Sequence, residues 1–168
     1  DDLFLEMEQL SRSILQSCSI YLGKGANWLG DMAEEGNTIM RVIHYPPLGK
    51  NAPIGAVRSA AHEDINLITI LPASNEPGLQ VQAKDGSWLD VPCDFGNLIV
   101  NIGDMLQEAS GHYFPSTTHR VVNPDGADMT KSRISLPLFL HPRPDVVLSE
   151  RHTAGSYLQE RLRELGVI

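Results

Sequence analysis

Between Ala60 and Leu140 the chain carries short apolar runs: Leu67 to Leu71, Leu79 to Val81, Leu98 to Ile102, Arg120 to Val122 and Ile134 to Leu140. Gly, Pro, Asn and Asp separate them, which is the punctuation of strands and turns. No helical periodicity alternates with these runs, so a doubly wound parallel sheet is disfavoured. An antiparallel sandwich, jelly roll or barrel is expected. A further strand is predicted over Thr38 to Tyr45, ended where Pro46-Pro47 removes backbone donors.

Helices flank this region. Leu3, Met7, Leu10, Ile14, Cys18 and Tyr21 recur in steps of three and four, placing one apolar stripe along a helix that stops near Gly23. Asp31 to Gly36 suits a short helical turn. Near the end, Thr153 is placed to cap a helix whose Tyr157, Leu158, Arg161, Leu162 and Leu165 share a face, with Gly166 at its exit. The expected organisation is one domain: a helical lead-in over 1–36, a barrel core over 37–148 and a C-terminal helix over 153–166.

Charge and composition narrow the partners. The formal net charge of −8 has the wrong sign for a surface that binds a phosphate backbone, so nucleic acid is not an expected partner. No apolar run approaches the roughly 20 residues of a membrane helix. Cys18 and Cys93 lie far apart with no C-x-x-C pattern, which gives no support to a disulfide framework or a thiolate zinc site and suits a cytoplasmic setting. The chain starts Asp1-Asp2 without a signal-peptide pattern, and an upstream segment is expected to precede it. Oligomeric state is left open.

His62-Glu63-Asp64 is the first local pattern with chemical content. On an extended segment, residues two apart point the same way, so imidazole and carboxylate can converge on one ion. Taken alone such a triplet is weak evidence for a metal. His119, 55 positions after Asp64, opens the strand-like Arg120-Val121-Val122 and offers a third ligand. Two His and one carboxylate on one face of a metal leave three positions open, which suits Fe(II) with a bidentate cosubstrate and dioxygen. Zinc favours a closed four-ligand site or a single open position. Arg133 and Ser135, two apart on the next strand, would together make a receptor for a carboxylate.

These residues, with His44-Tyr45-Pro46-Pro47, Gly78 to Val81, Gly86 to Pro92 and Asn101 to Gln107, resemble the isopenicillin N synthase-like family of 2-oxoglutarate and Fe(II)-dependent dioxygenases. The resemblance runs from about Asn37 to Pro144. It implies a mainly β fold with flanking helices outside it, a double-stranded β-helix or distorted jelly roll with iron at one mouth. It also implies His62, Asp64 and His119 as iron ligands, with Arg133 and Ser135 on the far carboxylate of 2-oxoglutarate. Tyr45 matches a Tyr that reaches this cosubstrate in plant members, although those carry Asn where this chain has Ile43. The implied activity is oxidation of a small molecule by O2 through an Fe(IV)-oxo intermediate, releasing succinate and CO2, with no residue beyond the metal ligands acting as a catalyst. Family oxidases that do not consume 2-oxoglutarate, and a non-catalytic binding module, are the alternatives.

Other residues are read more plainly. His44 could face the pocket or pack and is assigned a structural role, His112 a place on the surface or behind the site, and His141 and His152 lack ligand spacing to the others; Asp104 is read as a turn residue and Trp88 as core or hairpin packing. Asn101 is a candidate for pointing into the barrel beside the iron. Arg58, four before His62, is a candidate grip for a charged substrate.

Overall fold

The computed structural model describes residues 2–48, 55–123, 128 and 130–168. Helix α1 spans Asp2–Tyr21 and α2 spans Trp28–Ala33. The first strands are β1 (Ile39–Met40), β2 (Ile43–Tyr45), β3 (Ser59–His62), β4 (Ile68–Pro72), β5 (Leu79–Gln82), β6 (Trp88–Asp90) and β7 (Leu98–Ile102). Helix α3 (Asp104–Ala109), strands β8 (His119–Val121), β9 (Arg133–Ser135) and β10 (Leu138–Leu140), and helix α4 (Ala154–Glu164) complete the order. All pairing among these strands is antiparallel, in one sheet ordered β1-β10-β4-β7, a second ordered β3-β8-β5-β6, and a β2–β9 ribbon. This is the expected jelly roll with flanking helices.

Two predicted strands divide where the chain passes between sheets. Thr38 to Tyr45 becomes β1 and β2, and Ile134 to Leu140 becomes β9 and β10. The breaks face each other: Pro137 has no N–H to donate, but its carbonyl accepts from the Arg41 amide at 3.0 Å. Both partners therefore leave one sheet and join the other at the same level.

The apolar core joins the β1-β10-β4-β7 sheet to the helices. Leu67, Ile68 and Leu140 from the sheet side pack in one cluster with Leu15, Leu29 and Leu106, all with no exposure. Each such side chain contributes about 2 kcal/mol through removal from water. The α1 stripe is rotated from its predicted line, because Leu3 and Tyr21 are exposed while Ser11 and Ser19 are buried. Those serines satisfy their hydroxyls on carbonyls one turn back, Met7 and Leu15. Ser19 Oγ also accepts from the Leu29 amide at 3.1 Å, so a small residue on α1 anchors the start of α2.

Helix α2 begins three residues before the predicted turn at Asp31. Helix α4 starts as expected, with Thr153 Oγ1 accepting from the Ser156 amide and Ser156 Oγ from the Thr153 amide, a complete capping box. Tyr157 is buried, whereas Leu165, placed on the same predicted face, is 67% exposed because it caps the helix instead of lying within it.

Candidate metal centre

Strand pairing assembles the predicted triad. β3 and β8 run antiparallel with His62 directly opposite His119, bringing the two imidazoles within 4.4 Å centroid to centroid. Asp64 lies just beyond β3, where the chain turns toward β4, and its Oδ1 sits 3.8 Å from each His Nε2. One donor atom from each of the three residues lies within 4.8 Å of the others. The triad opens on one side: the His62 side chain is 44% exposed, against 13% for His119 and 7% for Asp64.

The donor set fits a metal cation. His62 Nδ1 is 2.7 Å from the Ala60 carbonyl and His119 Nδ1 is 3.0 Å from that of Thr117. A carbonyl only accepts, so Nδ1 must carry the proton, and in the neutral ring the Nε2 lone pair is directed inward. Two such lone pairs and a carboxylate oxygen converging on one point repel each other unless a cation lies between them.

Asp64 is itself held. Its Oδ2 accepts from Thr69 Oγ1 at 2.5 Å and from Asn101 Nδ2 at 2.9 Å. Thr69 and Asn101 are cross-strand partners on β4 and β7, so both reach the carboxylate from one sheet face. Asn101 thus lies beside the candidate triad, where its side chain touches Asp64. Thr69 and Asn66 were not predicted. Only the β4–β7 register could have pointed to Thr69.

Arg133 and Ser135 lie on the same buried face of β9, with Ile134 between them turned outward. Arg133 Nε donates to the Glu76 carbonyl at 3.1 Å, while its buried Nη1 has no protein acceptor among the described residues. Burial lowers the guanidinium's pKa, as expected for a cation short of counter-charge. Tyr45 faces Arg133 across the ribbon, with the guanidinium carbon 5.6 Å from its ring centre. Arg58 is oriented by its Nε hydrogen bond to Asn123 Oδ1 at 2.9 Å and also lies over Tyr45.

A cleft of about 870 Å³ opens beside the triad, lined by His62 and Asp64, by Arg41, Phe139 and His141, and by Leu158 and Leu162 of α4. Arg133, Ser135 and Tyr45 do not line it. His141, which lacks ligand spacing to the other histidines, borders this space. Its Nδ1 lies 3.2 Å from the Phe139 carbonyl, and burial lowers its pKa. Asp104 is not an exposed turn residue: it starts α3 and is buried, and desolvation raises its pKa. His112 is exposed with a positive φ of 64°. His152 is buried and meets Tyr157 edge-on. Trp88 stacks beneath Arg120 in the β5–β6 hairpin.

Similarity to known proteins agrees with this geometry. The model of the 2OG-Fe(II) oxygenase superfamily matches residues 36–142. The 2-oxoglutarate-Fe(II) type oxidoreductase hxnY of Emericella nidulans is 33% identical over 83% of this chain and 39% of its own length. Isopenicillin N synthase of Streptomyces griseus is 30% identical over 97% of this chain and 51% of its own. This chain therefore spans about half or less of these curated relatives. Among solved structures, a Shewanella oneidensis protein assigned as an oxygenase superposes with a TM-score of 0.89 at 59% identity, covering 99% of this chain and 64% of that one. A full-length Neurospora crassa protein solved in complex with α-KG and thymine superposes with a TM-score of 0.85 at 26% identity, covering 98% and 55%. By its motif residues, its fold and these matches, the chain belongs to the 2OG-Fe(II) oxygenase superfamily.

Proposed function

We propose that this chain is the catalytic unit of an Fe(II)- and 2-oxoglutarate-dependent oxygenase that oxidises a small molecule. The observation that carries this reading is the convergence of His62 Nε2, His119 Nε2 and Asp64 Oδ1 on one point. In this reading those three atoms hold the iron and leave its remaining positions open. Bound iron and 2-oxoglutarate would supply the oxidising chemistry, with O2 as oxidant and succinate and CO2 as co-products.

The protein's own share is binding and orientation. Arg133 and Ser135 are assigned to the far carboxylate of 2-oxoglutarate, because a buried guanidinium whose Nη1 has no acceptor among the described residues is compensated by an anion that accepts from it. Tyr45 fixes the guanidinium from the facing strand. The cleft beside His62 and Asp64 is assigned to the substrate, and its volume suits a small molecule. The formal charge of −8 supports a small-molecule partner over nucleic acid, and the free thiols Cys18 and Cys93 support a cytoplasmic setting. No helix among the described residues is long and apolar enough to cross a membrane. One catalytic domain is proposed, with lead-in, barrel and C-terminal helix as predicted.

The similarity to isopenicillin N synthase favours a second reading, an oxidase that retains the triad without consuming 2-oxoglutarate. Incubation of the protein with Fe(II), O2 and 2-oxoglutarate separates the two. Slow succinate formation that stops when iron is withheld supports the oxygenase. No succinate from protein shown to bind iron contradicts it.

A further inference from the structure

We infer that Asn66, acting through Thr69, is a positioning residue that commits Asp64 to binding the metal through Oδ1 alone. The inference rests on the ligand assignment above and concerns how one ligand is held. A backbone carbonyl sets the direction of the bonds. Asn66 Nδ2 lies 2.9 Å from the Ile68 carbonyl and 2.9 Å from Thr69 Oγ1. The carbonyl can only accept, so the amide nitrogen, not the amide oxygen, faces this pair, and its two hydrogens are both used. Thr69 Oγ1 therefore accepts from Asn66, and its single hydrogen is left for Asp64.

That hydrogen goes to Asp64 Oδ2 over 2.5 Å, within the range of a hydroxyl bonded to an ionised carboxylate. Asn101 supplies a second donor to the same oxygen. Two donors occupy Oδ2, and Oδ1 is the oxygen that faces both imidazoles. The direction of every bond in the sequence Asn66 to Thr69 to Asp64 is thereby fixed.

Packing holds the relay at its far end. Asn66 is fully buried, and its Oδ1 abuts Gly103, where an added Cβ would collide with that oxygen and with the Asn66 carbonyl. The Gly103 amide donates to the Leu67 carbonyl and the Asp104 amide to that of Asp64, both tying the start of α3 to the ligand loop. Single-oxygen ligation preserves positions on the metal that a bidentate carboxylate would take, and outer residues of this kind typically change metal affinity by about 10- to 100-fold.

The test compares Thr69→Val with Thr69→Ser and with wild type, using Mn(II) affinity from the free-ion EPR signal and the visible spectrum of bound Co(II). Valine keeps the volume and removes the hydroxyl, while serine keeps the hydroxyl. The expected result is Mn(II) binding weakened about tenfold and an altered Co(II) spectrum in Thr69→Val, with both properties restored in Thr69→Ser. Asn66→Ala should reproduce the Co(II) change, because the hydroxyl loses its fixed direction. Wild-type affinity and spectrum in Thr69→Val would overturn the relay while leaving the triad intact. Failure of wild type to bind either ion would remove the triad, and the relay with it.

Discussion

The triad and the β2–β9 ribbon are both polar sites on a β scaffold with buried members, Asp64 in one and Arg133 in the other, yet they are completed in opposite ways. Around Asp64 the protein supplies donors from β4 and β7 and ties each imidazole to a nearby carbonyl, so the lone pairs that converge there suit a cation. Around Arg133 the protein supplies one carbonyl and an aromatic face, and among the described residues a buried N–H has no acceptor. An isolated buried charge is costly, so each site is stable in its native form to the extent that a ligand of the opposite sign compensates it. On the proposed function, one region is prepared for a metal and the other for a carboxylate.

The contrast between the two regions breaks most sharply at a ligand. His119→Ala should reduce Mn(II) affinity by more than about 100-fold, beyond the usual effect of outer-shell changes, while circular dichroism stays that of the folded protein. Near-normal Mn(II) binding would remove His119 from the centre. Arg133→Ala should act on the other region alone, weakening 2-oxoglutarate binding about 30-fold or more in calorimetric titration of the Mn(II) form, with Mn(II) affinity unchanged. A loss of both would show that the sites are not separable in this way.

Smaller changes sharpen the same division. Ser135→Ala should weaken 2-oxoglutarate by about fivefold, the value of one hydrogen bond near 1 kcal/mol, and an undiminished affinity would place the carboxylate on Arg133 without Ser135. Thr153→Ala should lower stability by about 1 kcal/mol in urea unfolding through loss of the α4 cap, leaving metal and cosubstrate affinities as they were. Altered metal binding in that variant would mean that α4 influences the triad across the cleft.

Legibility in the sequence followed the range of the interactions involved. His62 and Asp64 could be paired because they are two apart, and Arg133 with Ser135 because strand alternation puts both on one face. His119 became legible through chemistry, and the roll through the family resemblance, since the spacing of short strands left sandwich, jelly roll and barrel open. The relay did not. Asn66, Thr69 and Asn101 have no distinctive spacing; Asn66 and Thr69 reach Asp64 through a local turn whose side-chain directions the sequence does not display, and Asn101 joins them only because β4 and β7 pair in the register that sets it opposite Thr69. The strand breaks at Arg41 and Pro137 lie inside segments read as single strands, and the passage from one sheet to the other appears only when the two segments face each other. Ser11 and Ser19 were missed from the buried face of α1 because they read as polar, although their hydroxyls are satisfied within the helix.

The most direct test of the central claim is an anaerobic titration of the purified protein with Fe(II) and then 2-oxoglutarate, followed by visible absorption. The account predicts a metal-to-ligand charge-transfer band that grows with 2-oxoglutarate, saturates near one equivalent and is absent in His119→Ala. Iron bound in wild type with no such band at saturating 2-oxoglutarate would contradict it.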